Sequence, residues 1–152
     1  MKENLLIRTY SANDREEVIA LLQLNIPQYF DPSETKDFKE YLEQHLEDYF
    51  VVEDQGAIIG AGGINYFPEQ NKARISWDFI HPDYQGKGVG KQLLNYRIAR
   101  VKLNQKIKYI EVRTSQMAFK FYKKVGFELE TIEKDFWAKG FNLYLMKLYI
   151  KQ

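Results

Sequence analysis

A glycine-rich loop between a strand-like run and a helix-like run constrains the fold of this chain more than any other feature. Residues 73–80 have the composition of a strand, and residues 91–103 have the apolar spacing of a helix. Glycines at positions 86, 88 and 90 let the backbone turn sharply and approach a ligand without Cβ clashes. The first amides of a helix have no internal partner and attract anions. The segment therefore predicts a phosphate-binding loop, with a turn that binds nothing as the alternative.

The spacing of the loop separates it from two common nucleotide-binding motifs. A Walker loop needs a glycine five residues before Gly90, where this chain has Gln85. It also needs Ser or Thr after Lys91, where this chain has Gln92. A dinucleotide fingerprint fails because Lys91 takes the place of its third glycine. The spacing matches Gln/Arg-x-x-Gly-x-Gly/Ala, as Gln85-x-x-Gly88-x-Gly90, and so resembles the acyl-CoA pyrophosphate loop of the GNAT superfamily of N-acetyltransferases.

A second motif downstream strengthens the resemblance. GNAT proteins often carry Asn-x-x-Ala-x-x-x-Tyr-x-x-x-Gly-Phe after the fifth strand. In this chain Ala118, Tyr122, Gly126 and Phe127 fall in register with it. Ser115 stands in place of the asparagine. The contact that this asparagine makes in relatives is therefore not expected here in the same form.

The order of predicted elements also resembles the GNAT fold over nearly the whole chain. It is strand, two helices, three strands, helix, strand, helix and two strands, which indicates one α/β (α+β) domain over residues 1–152. The resemblance implies a mostly antiparallel sheet of about seven strands and about four helices, with a splayed strand pair at the CoA site. The predicted strands cover residues 5–10, 49–53, 57–67, 74–80, 107–114, 127–132 and 141–148, and the predicted helices lie around residues 18–22, 32–45, 91–103 and 117–125.

The resemblance implies acetyl-CoA as the co-substrate. Backbone amides of the loop would hold the pyrophosphate, and the pantetheine arm would pair with a strand edge in the gap between residues 79–80 and residues 112–113. Lys123 and Lys124 either approach the adenosine 3′-phosphate or form a solvated helix face. The full set of implied cofactor-binding residues is Phe79, Ile80, Gln85, Gly86, Lys87, Gly88, Val89, Gly90, Lys91, Ser115, Ala118 and Tyr122.

Acetyl transfer from a thioester to an amine places demands on acid and base groups. The amine must be neutral, the carbonyl must be polarised, and the leaving thiolate benefits from a proton. Tyr122 occupies the position at which many GNAT proteins keep a tyrosine that gives this proton. Its alternative is an amphipathic helix residue with a buried ring and a solvated hydroxyl.

The base is harder to assign. GNAT proteins often keep Glu or His at positions that fall on Arg74 and Ser76, and neither residue can serve as a base. Strand alternation would place Asp78 on the same face as both, so Asp78 is the predicted base. Two alternatives remain open: Asp78 forms a salt bridge with Arg74 or Arg113, or a water chain removes the proton. Glu111 is a weaker alternative base.

The helical pattern is interrupted at Pro27–Asp31. Aromatic side chains near this interruption and in the terminal hairpin are the predicted acceptor-binding residues. Each of them could equally belong to the core, and for Phe141 the core is favoured. The predicted acceptor residues are Tyr29, Phe30, Trp137 and Tyr144.

The charge balance and residue inventory exclude several classes of function. The 152 residues carry 22 basic and 21 acidic side chains, and a formal net charge of +1 argues against nucleic-acid binding. The absence of cysteine excludes disulfides and a cysteine nucleophile, and two histidines do not favour a metal site. The apolar run at residues 57–64 is too short to span a membrane, and no signal-peptide core follows residues 1–4, which favours a cytoplasmic protein without a membrane partner. The sequence leaves a monomer and a homodimer equally open.

The sequence therefore predicts an N-acetyltransferase that moves an acetyl group from acetyl-CoA to a primary amine by direct transfer in a ternary complex. A first alternative is a CoA-binding sensor or scaffold that has lost catalysis, because the usual base positions lack Glu and His. A second is an O-acyltransferase or an N-acyltransferase for longer acyl chains.

Overall fold

The computed structural model describes residues 5–151, so residues 1–4 and 152, at the ends of the predicted 1–152 domain, lie outside the described part. The predicted α/β class is confirmed, with one sheet of seven strands and four α-helices among the described residues. Helices α1 to α4 span Arg15–Gln23, Glu34–Gln44, Val89–Lys102 and Phe119–Val125. Strands β1 to β7 span Leu5–Thr9, Asp48–Asp54, Ala57–Phe67, Lys72–Ile80, Tyr109–Thr114, Glu128–Ala138 and Phe141–Tyr149.

The boundary that differs most from the prediction is the end of β6. The strand continues to Ala138 rather than ending at Ile132. Residues 128–136 of β6 are exposed, so no alternation between apolar and polar residues marks them as a strand. Pairing with β7 up to Glu133, and again at Ala138 after an irregular stretch, holds the strand to the sheet. No helix within residues 5–151 is long and apolar enough to cross a membrane.

The sheet contains one parallel pair, and that pair is splayed. The strand order is β1-β2-β3-β4-β5-β7-β6, and every neighbouring pair is antiparallel except β4 and β5. The β4–β5 ladder ends at the pair Ile75–Val112, although β4 continues to Ile80 and β5 to Thr114. Beyond that pair the two strands have no common hydrogen bonds, which leaves a gap in the middle of the sheet.

Each face of the sheet carries its own apolar core. Helices α3 and α4 cover one face, where Leu93, Leu94 and Ile98 of α3 pack on the sheet. Helices α1 and α2 cover the other face, where Leu22 and Phe38 are fully buried. Burial of such side chains stabilises the fold by about 1.5–3 kcal/mol each. The gap between β4 and β5 therefore connects two faces that are otherwise sealed by helices.

A β-bulge in β4 reverses the direction of its side chains. Ala61 pairs with Phe79 and Gly63 pairs with Ser76, so a single residue of β3, Gly62, lies opposite two residues of β4. One of those two residues, Trp77, has a φ of 47°, an uncommon backbone conformation for a non-glycine residue. The extra residue shifts the alternation of β4 by one position.

The bulge overturns the predicted alternation on β4. Before it, Ala73 and Ile75 belong to the α3/α4 core, whereas after it Ile80 belongs to that core and Phe79 packs with α1 and α2. Asp78 accordingly projects to the α3/α4 face, where it meets side chains of those helices. The prediction that Asp78 shares a face with Arg74 and Ser76 is wrong, because it assumed an unbroken period of two.

Candidate active site

A cleft of about 990 Å³ runs through the gap between β4 and β5. The loop before α3, the start of α3 and part of α4 line one side of it. The segment between α1 and α2, helix α2 and the β6–β7 hairpin line the other side. A cleft of this size that joins both faces of a sheet can hold an extended ligand on one side and a second ligand on the other.

The glycine loop opens directly into the cleft. Gly86 and Gly88 have φ values of 73° and 85°, and Gly88 caps the start of α3. A Cβ atom built at either position meets no atom within 4 Å, so the backbone there faces open space. The backbone at the start of α3 is therefore accessible to an anion, as the sequence predicted.

Most of the predicted cofactor residues line this cleft, and two do not. Val89 is buried in the α3/α4 core, and the Lys87 ammonium lies 5.9 Å from the ring centre of Tyr84. These two residues can contribute only their backbone to the cleft. The predicted residues that line the cleft are Phe79, Ile80, Gln85, Gly86, Gly88, Gly90, Lys91, Ser115, Ala118 and Tyr122.

The turn before α4 explains what Ser115 does in place of asparagine. Its hydroxyl accepts a hydrogen bond from the backbone N–H of Met117 at 3.2 Å, which fixes the turn. Of the two lysines in the last turn of α4, Lys124 lines the cleft, whereas the Lys123 ammonium lies 5.6 Å from the ring centre of Phe119. Of these two lysines, Lys124 thus remains the candidate for contact with a bound phosphate.

Asp78, Arg97 and Tyr122 form a buried network beside the gap. The guanidinium of Arg97 donates to Asp78 Oδ2 at 2.7 Å, and the hydroxyl of Tyr122 donates to the same oxygen at 2.8 Å. Oδ1 of Asp78 accepts no hydrogen bond from residues 5–151, and Asp78 lines the cleft. One carboxylate oxygen is thus held by the fold, while the other is available to a ligand.

Packing against two aromatic rings positions Tyr122. Its ring contacts Phe121 and Phe127 edge-on, and its exposed fraction is 4%. Burial, together with the negative charge of Asp78, raises the pKa of Tyr122 well above its usual value. The phenol therefore stays protonated and can donate a proton to a group in the gap.

The predicted salt-bridge partner of Asp78 is wrong, because the partner is Arg97. Arg97 is fully buried and also donates to the backbone carbonyls of Leu93 and Gly63. A Cβ at Gly62 would lie 2.7 Å from Arg97 Nη1, so only glycine leaves room for the guanidinium there. The sequence did carry a signal for this residue. Arg97 falls on the apolar stripe of α3 together with Leu93 and Val101, where a charged side chain needs a buried partner.

Glu111 is a poor alternative base because both of its oxygens are occupied. Oε2 accepts from Arg74 Nε at 2.7 Å, and Oε1 accepts from Lys72 Nζ at 3.2 Å. Burial by itself would raise the pKa of Glu111, but the hydrogen bonds and charges of Arg74 and Lys72 outweigh it and lower that pKa. Arg74 is thus the partner of Glu111 and not of Asp78.

Three of the four predicted acceptor residues line the cleft. Phe30 stacks on Trp77 with ring centres 6.1 Å apart, and Tyr29 lies beside it in the sequence. Trp137 is fixed by a hydrogen bond from its indole N–H to the carbonyl of Thr114 at 3.1 Å. These aromatic side chains give the side of the cleft next to α2 and the hairpin an apolar lining.

Tyr144 is not among the residues that line the cleft. Its ring packs on Phe119 of α4, with ring centres 5.2 Å apart. Phe141 lines the cleft instead, and it is also buried, in agreement with its predicted place in the core. The two residues are an odd number of positions apart on β7, and strand alternation therefore sends them to opposite faces.

Polar groups on the acceptor side include a buried carboxyl at the start of α2. Glu34 accepts a hydrogen bond from the backbone N–H of Asp31 at 2.8 Å, and Asp31 accepts one from the backbone N–H of Ser33 at 3.0 Å. These two hydrogen bonds fix the turn that leads into α2, which begins at Glu34. Burial raises the pKa of Glu34 to about 7. His45 caps the end of α2 and lines the cleft.

Comparison with known sequences relates the chain to acetyltransferases. The model of the acetyltransferase (GNAT) family matches residues 18–127. An amino-acid acetyltransferase of Actinobacillus pleuropneumoniae serotype 3 (strain JL03) is 30% identical over 100 residues, which are 64% of this chain and 22% of that protein. The chain therefore spans about a fifth of the length of that relative. An N-alpha-acetyltransferase of Sulfurisphaera tokodaii is 27% identical over 166 residues, covering 92% of this chain and 90% of that one.

Solved structures share the fold over nearly the whole chain. The ribosomal-protein-S18-alanine N-acetyltransferase of Escherichia coli matches with a TM-score of 0.80 and 18% identity, covering 97% of this chain and 95% of that chain. The spermidine N-acetyltransferase of Vibrio cholerae, solved with CoA and spermine, matches with a TM-score of 0.74 and 20% identity, covering 97% and 96%. At these identities the match describes the fold alone.

Proposed function

The chain belongs to the acetyltransferase (GNAT) family, and on that premise we propose that it transfers an acetyl group from acetyl-CoA to a primary amine in a ternary complex. The observation that carries the proposal is the Asp78–Tyr122 pair, joined by a 2.8 Å hydrogen bond and placed beside the gap between β4 and β5. The pair supplies a protonated acid and a carboxylate at one point of the cleft. A CoA-binding sensor would not need either group.

The cofactor side of the proposal follows from the loop and the open strand edge. The pyrophosphate would bind the backbone amides between Gly86 and Lys91, where the cleft is open and the start of α3 attracts anions. The pantetheine arm would lie along β4 beyond Ile75, where the ladder to β5 has ended. An extended ligand can pair with such an edge in the way that a further strand would.

The chemistry that we propose moves one proton from the amine to the sulfur. The amine nitrogen attacks the thioester carbon, and the carbon–sulfur bond then breaks. Tyr122 gives its hydroxyl proton to the departing sulfur, and the carboxylate of Asp78 takes the proton that the nitrogen loses. The proton on Asp78 then leaves to solvent in the open cleft as the product departs, and the Tyr122 phenolate takes up a proton, which restores both groups.

Arg97 acts on this chemistry through Asp78. It does not line the cleft, and its guanidinium holds Oδ2 at 2.7 Å from the α3 side. The contact fixes the orientation of the carboxylate, so that Oδ1 is directed to a bound amine. Arg97 is thus a positioning residue, and Asp78 and Tyr122 are the proposed catalytic residues.

The test is acetyl transfer by purified protein with acetyl-CoA and a panel of primary amines. We expect thiol release, detected with a thiol-reactive dye, and acetylated amine, identified by mass spectrometry. Binding of CoA without thiol release for any amine would overturn the proposal and favour the sensor alternative. Competition between acetyl-CoA and longer acyl-CoAs in the same assay, and acetylated alcohols among the products, would reveal the acyltransferase alternatives.

A further inference from the structure

A cation on the acceptor side of the cleft, Arg113, has no ion-pair partner among residues 5–151. Arg113 lines the cleft and lies on β5, where its neighbour Val112 belongs to the α3/α4 core. Strand alternation therefore sends Arg113 to the α1/α2 face. Val112 forms the last ladder pair with β4, so Arg113 is the first residue of β5 beyond the point at which the strands separate. The guanidinium thus enters the acceptor side close to the gap.

The surroundings of Arg113 leave its charge unmatched. Its side chain makes no hydrogen bond within residues 5–151. No carboxylate oxygen of those residues lies within 4.0 Å of a guanidinium nitrogen, the limit for an ion pair. Glu111 and Glu133 act on it only through space. Glu111 is already shared by Lys72 and Arg74. Burial, and then the charge of Arg74, lower the pKa of Arg113, yet an arginine side chain stays protonated in proteins.

Two aromatic rings hold the guanidinium in place. Its central carbon lies 5.1 Å from the ring centre of Phe136 and 5.5 Å from that of Trp137. The indole of Trp137 is itself anchored to the carbonyl of Thr114. Contacts with aromatic rings leave the N–H groups at the edge of the guanidinium free, and this edge matches a carboxylate through two parallel hydrogen bonds.

We propose that Arg113 binds a carboxylate of the acceptor, so that the acceptor is an amino acid rather than an unfunctionalised amine. The inference rests on the proposed acetyl transfer and adds the substrate class. One unmatched positive charge complements one carboxylate, and the place of Arg113 next to the gap puts that carboxylate a short distance from the reacting amine. The neighbouring Arg74 is less available to the acceptor, because it already has an ion-pair partner in Glu111.

The experiment compares amino acids with their carboxamides as acceptors. The panel contains the L-α-amino acids, β-alanine and 4-aminobutyrate, each beside the amide that keeps its amine and loses its negative charge. For the best acceptor we expect kcat/KM of the acid to exceed that of the amide by about 10- to 100-fold, the range of a charge-assisted hydrogen-bond pair. Arg113→Gln should remove that preference, mainly by raising KM for the acids.

Arg100→Gln is the matched control. Arg100 also places its guanidinium over an aromatic ring, 5.4 Å from the centre of Phe50, but it does not line the cleft. The Arg100→Gln variant should keep the preference for acids over amides. If Arg113→Gln fails to fold, Arg113→Lys preserves the charge without the planar fork, and we expect it to keep part of the preference.

A binding measurement separates failure of this inference from failure of the proposed function. Calorimetric titration of the protein–CoA complex with the same acids and amides reports recognition without turnover. Thiol release from many amines with no difference between acids and amides would overturn the role of Arg113 and leave acetyl transfer standing. Acetylation of peptides with an acidic second residue but of no free amino acid would overturn the amino-acid assignment. Absence of turnover together with tighter binding of acids than of amides, lost in Arg113→Gln, would support the Arg113 site alone.

Discussion

Breaking the ion pair between Asp78 and Arg97 tests the centre of the proposed site. Arg97 is fully buried, and Asp78 is its only carboxylate partner among residues 5–151. Removing one partner of a buried pair costs roughly 3–5 kcal/mol, because the remaining charge is left uncompensated. Asp78→Asn keeps an oxygen that can accept from Arg97, so we expect a smaller loss of about 2–3 kcal/mol in the free energy of unfolding.

The loss in the free energy of unfolding can be measured as a decrease in the melting temperature. For a domain of this size each kcal/mol shifts Tm by about 2–4 °C, so Asp78→Asn should lower Tm by about 4–12 °C. Circular dichroism at neutral pH and urea titration measure the change. In the double variant Asp78→Asn/Arg97→Met, an apolar side chain replaces the guanidinium that has lost its carboxylate partner. We expect much of the stability lost in Asp78→Asn to return.

The stability and activity of the Asp78→Asn variant distinguish a structural from a catalytic role of Asp78. A Tm of Asp78→Asn within about 2 °C of the wild type would refute the reasoning, since it would mean that the buried charge has another partner. The rate–pH profile of the same variant addresses catalysis. Loss or displacement of its acidic limb, with unchanged CoA affinity, supports Asp78 as the proton acceptor. A lowered Tm with an unchanged profile would retire it as the base and leave it as a partner of Arg97.

Three further predictions concern separate parts of the cleft. Tyr122→Phe removes the proposed acid but keeps the buried ring, so turnover should fall about 10²- to 10⁴-fold while the protein stays folded, and a loss below about threefold with chemistry rate-limiting would contradict the role. Gly88→Val places a side chain in the open space of the loop at a φ of 85° and should abolish CoA binding by calorimetry, whereas Lys87→Ala keeps its amide and should lose little. Glu34 has its pKa raised by burial from 4.5 to about 7, so the folded state keeps a proton that the unfolded state has released in that window. Its stabilising contribution should be full below pH 4.5 and lost as pH rises through about 7, and Glu34→Gln should flatten this dependence in urea midpoints measured across the window; an equal slope in both proteins would exclude Glu34 as its source.

Local sequence patterns were sufficient for the elements and for the cofactor side of the cleft. The glycines of the loop before α3 determine a backbone conformation that few other residues adopt, and the motif around Tyr122, which resembles that of GNAT proteins, places this side chain on α4. The turn at residues 31–34 that leads into α2 is likewise held by contacts between near neighbours in the chain. Such features depend on a few consecutive residues, and the sequence therefore determines them directly.

Tertiary structure alone decided which side chains meet at the reacting centre. The bulge at Trp77 depends on how β4 pairs with Gly62 and its neighbours on β3, and this register moves Asp78 to the opposite face from Arg74. The same pairing gives Arg97 room to reach Asp78. A period of two along one strand contains no information about an inserted residue in its partner ladder, because the insertion is a property of the pair. The loop and the acid were therefore visible in the sequence, whereas the partner of the acid was fixed only when the sheet formed.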